Sequence, residues 1–234
     1  MSDASETALI VGAGPGLSAS CARLFAREGM RVHLAARRPE RLSDLCAEIG
    51  ASAHGCDASD PDQVAALFEA LPAAPDLVLF NASARVRKPF DEVTAEEAAH
   101  AVQVSCLAGF HVASEAAKRM VARGSGTILF TGASASVKGF PQSATFAMGK
   151  FGLRGLAQSM ARELAPQNIH VAHFVIDGAI SDPANARKAE LEAEWGPDSM
   201  LDPDAIAETY LFTHRQHRSA WTWEIELRPW VERF

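Results

Sequence analysis

Short apolar runs alternate along the chain with segments whose apolar residues recur every three to four positions. Residues 7–11 (TALIV), 32–35 (VHLA), 77–80 (LVLF), 127–131 (TILFT) and 170–176 (HVAHFVI) have the length and residue types of buried strands. A weaker run at 52–56 and the segment 221–227 (WTWEIEL) bring the expected strands to about seven. Helical patterns fall between them, over 16–28, 39–49, 59–70, 94–123, 144–164 and 202–213. Ser59 with Asp62, and Thr94 with Glu97, have the spacing of capping pairs, and Pro61 suits a first helical turn. Strand–helix alternation of this kind predicts an α/β fold with a doubly wound parallel (Rossmann) sheet, helices covering both faces. No repeat, low-complexity tract or linker divides residues 1–234, so a single domain is expected. After Gly178 the rhythm loosens. Residues 183–196 read as a short mobile helical insertion, 183–200 is expected to cover a substrate, and 221–234 form a terminal strand and tail.

Composition narrows the function classes. Hydrophobic residues at 48% and charged residues at 22% are ordinary for a globular protein. The formal net charge of -7, without a lysine- or arginine-rich block, argues against nucleic acid or an anionic membrane surface as partner. No apolar stretch approaches the roughly 20 residues of a membrane span, and the acidic start does not resemble a signal peptide. A cytoplasmic location follows as the expectation. Cys21, Cys46, Cys56 and Cys106 form no C-x-x-C pair, which predicts reduced, mostly buried thiols and no metal. The sequon at Asn81–Ser83 is empty in a chain without a secretory signal.

Residues 12–17 (GAGPGL) follow the first strand directly and open the first helix. Glycines permit a tight turn and close backbone approach, and a helix N-terminus then faces an anion such as a pyrophosphate. Gly12, Gly14, Gly16 and Leu17 are therefore the expected phosphate loop, although such a loop can also be a plain strand–helix turn. The second strand ends in Arg37 and Arg38, with no acid before Glu40. Paired guanidiniums suit a ribose 2′-phosphate, so NADP is favoured over NAD; the alternative is that they simply solvate a helix start.

With these features the chain resembles the short-chain dehydrogenase/reductase family over nearly its whole length. The loop is similar to that family's T-G-x-x-x-G-x-G turn, with Val11 and Ser18 at its first and last positions. Residues 56–58 (CDA) resemble the family's adenine site, which assigns Asp57 and Ala58 there. Residues 80–83 (FNAS) resemble its N-N-A-G, keeping Asn81 and Ala82, and Asp177–Gly178 take the place of a P-G pair lining the nicotinamide. The family's Asn, Ser, Tyr and Lys set falls on Ser105, Ala133, Phe146 and Lys150, so only the lysine is kept. Positions 146 and 150 share one helix face. The resemblance implies that Lys150 binds the nicotinamide ribose and that the usual phenol is missing. Phe146 is then either core packing or an apolar wall for substrate. Ser134 is the first candidate for a replacement proton donor, with Ser143, Thr145 and Ser105 behind it. Tyr210, the sole tyrosine, lies too late in the chain to substitute, and His111 and His173 are expected to pack rather than act as acids. Asp182 stands where many relatives have a threonine touching the carboxamide. The implied activity is NADP-dependent, atypical oxidoreduction of a small carbonyl or activated C=C compound. A non-catalytic NADP(H) sensor or assembly partner is the other reading. The family also implies a homodimer or homotetramer, and the aromatic tail suggests an interface.

Overall fold

The computed structural model describes residues 5–181 and 187–233. Seven strands, β1 (Thr7–Val11), β2 (Arg31–Ala36), β3 (Ser52–Gly55), β4 (Leu77–Phe80), β5 (Gly126–Thr131), β6 (Ile169–Ile176) and β7 (Glu224–Leu227), form one sheet in the order β3-β2-β1-β4-β5-β6-β7. Every pairing is parallel, so the expected doubly wound sheet is present. Side chains alternate across each strand and so feed two cores. Leu9 and Val11 of β1 enter one, with Val64, Phe68, Val112, Met120 and Leu153. Ala8 and Ile10 enter the other, with Phe25, Leu34, Phe174 and Tyr210. Fully burying one such leucine or phenylalanine is worth roughly 1.5–3 kcal/mol.

The helices are α1 (Leu17–Arg27), α2 (Ser43–Ile49), α3 (Pro61–Ala70), α4 (Ala95–Val102), α5 (Ala108–Arg123), α6 (Ala144–Leu164), α7 (Arg187–Trp195) and α8 (Pro203–His214). Three sequence expectations need correction. Asp60, not Ser59, caps α3: its carboxylate accepts from the Asp62 and Gln63 amides, while Ser59 bonds Asp57 instead. The helix expected over 94–123 is not α-helical throughout, because a π turn at Gln103–Leu107 joins α4 to α5. One extra residue per turn there accompanies the bonds of Gln103 to the Ser59 carbonyl and of Ser105 to Ala84. The last strand begins at Glu224, three residues later than the pattern suggested. The Thr94–Glu97 capping box forms as expected.

β1 and β4 are neighbours although their connections leave in opposite directions, and this switch point opens a crevice at the carboxyl ends of the strands. Two tryptophans of the tail pack on the chain's own body. Trp221 stacks on His170 with ring centroids 4.7 Å apart, and Trp223 lies under Arg154; Trp230 stays exposed. The segment 183–196 lies partly outside the described residues, as does Asp182; its described part contains α7.

Candidate active site

The crevice starts at Gly12, where the chain turns with φ +83° and the amides of Gly12 and Ala13 both donate to the Ala35 carbonyl at 3.0 Å. A Cβ at Gly12 would lie 2.4 Å from the Ala82 nitrogen, so no side chain fits. At Gly14 and Gly16 a Cβ would meet nothing within 4 Å. Their missing side chains thus leave open space in front of α1, whose N-cap, Gly16, supplies no side-chain acceptor. First-turn amides and the helix dipole are available there to an anion. Ser18 donates to the Gly12 carbonyl (3.2 Å) and accepts from Asn81 Nδ2 (2.7 Å), which ties the loop to the end of β4.

From this loop a cleft of about 360 Å³ runs towards the ends of β2 and β3, lined by Arg37, Arg38, Arg41, Asp57, Ala58 and Ala82 among others. None of the three arginines forms an ion pair within the described residues. Asp57 Oδ1 accepts from the Ser59 hydroxyl (2.7 Å) and amide (3.0 Å). These bonds, helped by the nearby Arg37 charge, hold its carboxyl below the usual range.

A second cleft, of about 500 Å³, opens at the ends of β4, β5 and β6 and is lined by Ser134, Phe146, Lys150, Gly178 and Arg85. Gly14, Asn81 and Ser83 line both clefts, so the two adjoin there as arms of a groove. Lys150 is 3% exposed and donates to the Thr131 carbonyl at 2.7 Å; burial brings its pKa down to about 8. Its ammonium lies 5.9 Å from the centroid of the Phe146 ring, and the Arg85 guanidinium lies 5.2 Å from the same ring. Ala133 joins Phe146 on the wall, so neither position offers a hydroxyl. Ser134 stands beside them on a 3-10 turn, and its hydroxyl bonds no other described residue. A Cβ at Gly178 would come 2.6 Å from Pro229 Cδ, because the end of β6 passes against the tail. Asp177, 2% exposed, anchors that passage by accepting from Lys138 (2.9 Å) and Arg228 (3.2 Å).

Beneath the loop, the Ala133 amide donates to Ser136 Oγ (3.1 Å), which lies 3.3 Å from His173 Nε2. His173 Nδ1 reaches Glu224 at 3.1 Å, and Glu224 is held by both ends of the Arg154 fork. A carboxylate only accepts, so Nδ1 carries the hydrogen and Nε2 accepts from Ser136. Both Ser136 and His173 are fully buried, so the chain of bonds fixes the 133–136 loop and no substrate reaches it. Burial pushes the His173 pKa down from 6.5 to about 4, outweighing Glu224. Between those values the unfolded chain takes up the proton and the folded one does not, so stability falls as pH drops from 6.5 towards 4. The loss amounts to about 3 kcal/mol from this residue. Melting temperature measured from pH 7 to 4.5 should show that decline, with a shallower slope in His173→Gln; an unchanged slope in the variant would refute the assignment.

The remaining sequence candidates are engaged elsewhere. Ser105 exchanges bonds with the amide (3.0 Å) and carbonyl (3.3 Å) of Ala84, which uses its hydroxyl up. Thr145 bonds the Val86 carbonyl, and Ser143 is buried away from the lining of either cleft. Tyr210 is fully buried, with its hydroxyl 3.1 Å from Thr131 Oγ1 and its pKa raised by desolvation. His111 sits against the Ala58 carbonyl. Cys21 and Cys56 are buried, Cys46 and Cys106 partly so, and all four are free thiols. Sequence reasoning missed Arg41, Thr131 and Arg85. The basic run beginning at Arg37 could have signalled Arg41, and the position of Arg85 just after β4 could have signalled a cleft residue.

The short chain dehydrogenase family profile matches residues 6–192. A short-chain dehydrogenase/reductase of Armillaria gallica is 30% identical over 222 residues, covering 87% of this chain and 85% of its own. The crystal structure of a short-chain dehydrogenase from Rhodopseudomonas palustris superposes with a TM-score of 0.82 at 38% identity, over 96% of this chain and 99% of that one. A metagenomic short-chain oxidoreductase in complex with NADP gives 0.81 at 25% identity, over 97% and 98%. Alike in sequence and in fold over nearly its full extent, the chain belongs to the short-chain dehydrogenase family of oxidoreductases.

Proposed function

We propose that the protein is an NADP-dependent oxidoreductase with atypical catalytic residues, acting on a small carbonyl or activated C=C compound. The observation that carries this is that the cleft at the glycine loop, with three arginines that form no ion pair among the described residues, adjoins the cleft that holds Lys150. Open space at Gly14 and Gly16 fits a pyrophosphate, and Arg37 and Arg38 fit a 2′-phosphate. The relative bound to NADP supports the same choice over NAD. In this reading Leu17, Asp57, Ala58, Asn81, Ala82 and Gly178 line the nucleotide, and Lys150 binds its ribose. When bound, the nicotinamide supplies hydride.

Holding donor and acceptor together is worth about 7–11 kcal/mol, whereas a positioned general acid adds roughly 10²–10⁴ in rate. The groove keeps the means for the larger effect. With alanine at 133 and phenylalanine at 146, the proton comes from Ser134, from water or from the substrate. Reduction of an activated C=C bond suits this wall, because its proton goes to carbon and needs no phenol at oxygen. A second reading, a non-catalytic NADP(H) sensor, draws on the same two hydroxyl-free positions. Exposed Leu107 at the end of the π turn, with Phe110, Met148 and Phe151 along α5 and α6, supports a homodimer or homotetramer, and a cytoplasmic location completes the proposal.

Fluorescence titration with NADPH and NADH, followed by turnover on enones and ketones, tests it. NADPH should bind roughly tenfold or more tightly than NADH, and replacing Arg37 and Arg38 by alanine should erase the difference. Lys150→Ala should abolish enone reduction. Binding without any turnover favours the sensor, and failure of both nucleotides to bind at millimolar concentration overturns both readings.

A further inference from the structure

Arg85 lies four residues beyond Asn81, in the loop that follows β4, and lines the reaction end of the groove. It forms no ion pair or hydrogen bond with any described residue. Among the described residues no aspartate or glutamate lines this cleft, and the other cation there, Lys150, is already turned to the Thr131 carbonyl. An unpaired arginine remote from any cleft would be unremarkable. This one is laid against the Phe146 ring, 5.2 Å from the centroid, and a guanidinium stacked on an aromatic face keeps its planar fork oriented. The same phenylalanine that removes the phenol therefore provides the support for a cation on the cleft wall. An oriented fork with no carboxylate beside it among the described residues suits a planar anion bound by two parallel hydrogen bonds.

We propose that Arg85 is a specificity residue that binds the carboxylate of the substrate, so that the protein acts on small oxo- or enoyl-carboxylates in preference to neutral carbonyl compounds. This rests on the oxidoreductase reading above and adds the class of substrate to it.

Ligand-observed NMR with the NADP-loaded protein tests the idea, using acetoacetate, 4-oxopentanoate and benzoate, each beside its neutral methyl ester. The carboxylates should bind roughly tenfold or more tightly than the esters. Arg85→Ala should remove that preference and Arg85→Lys should keep part of it, since lysine brings the charge without the fork. The side chain is exposed, so its loss leaves the fold intact. Esters that bind as well as acids, no carboxylate binding at millimolar concentration, or a preference that survives in Arg85→Ala would each overturn the proposal. So would an Arg85→Ala variant that loses NADPH affinity to the same degree, because the arginine would then serve the nucleotide. A parallel NADPH titration of the unaltered protein keeps the two readings apart: absent nucleotide binding sinks the oxidoreductase, whereas nucleotide binding without carboxylate preference sinks this inference alone.

Discussion

Ketone reduction with NADPH should rise by roughly 10²–10⁴ when Ala133→Ser and Phe146→Tyr are introduced together. Both positions line the groove beside Lys150, so the two hydroxyls would enter the same space. The backbone can accept them. Ala133 has φ -161 and ψ 172, an extended conformation that serine adopts freely, and the half-buried ring at 146 gains one oxygen without losing its packing. The neighbouring charges also favour the change, because Arg85 and the Lys150 ammonium lie within 6 Å of the ring and would lower the pKa of a phenol there. The readout is the rate of NADPH consumption with simple ketones. An unaltered rate, in a variant that binds NADPH and melts like the parent, would show that the missing acid is not what limits carbonyl reduction.

Two alanine substitutions in the glycine loop should behave oppositely, which separates folding from binding. Gly12→Ala places a methyl group 2.4 Å from the Ala82 nitrogen at a φ of +83°. The left-handed backbone alone costs roughly 1–2 kcal/mol, and displacing the start of the loop after β4 adds at least as much. For a chain of this length a loss of about 3 kcal/mol lowers the melting temperature by roughly 6–12 °C. Gly14→Ala meets no atom within 4 Å, so the melting temperature should stay put while NADPH affinity falls roughly tenfold or more. Thermal denaturation and NADPH fluorescence on both variants give the answer. Unchanged nucleotide affinity in Gly14→Ala would remove the phosphate role from this loop.

Seven strands and their parallel arrangement could be read from the chain because strand and helix impose different periods on neighbouring residues, and each period is a local property of the backbone. The glycine loop was readable for the same reason, since GAGPGL sits directly between a strand pattern and a helix pattern. Helix ends were less well specified. Ser59 and Asp60 are both good caps, and Asp57 drew the serine away. The π turn at Gln103–Leu107 left no mark on the apolar pattern, because it accompanies bonds to Ser59 and Ala84 from another part of the chain. The site shows the same division. Spacing along one helix was enough to put Phe146 beside Lys150. The meeting of Ser136 with His173, 37 residues on, and of His173 with Glu224, 51 further, depends on β5, β6 and β7 lying side by side. Arg85 reached its place against Phe146 through a loop with no periodicity at all. Contacts across strand crossovers are set by how layers stack, and that stacking carries no signature in the residues immediately before and after each partner.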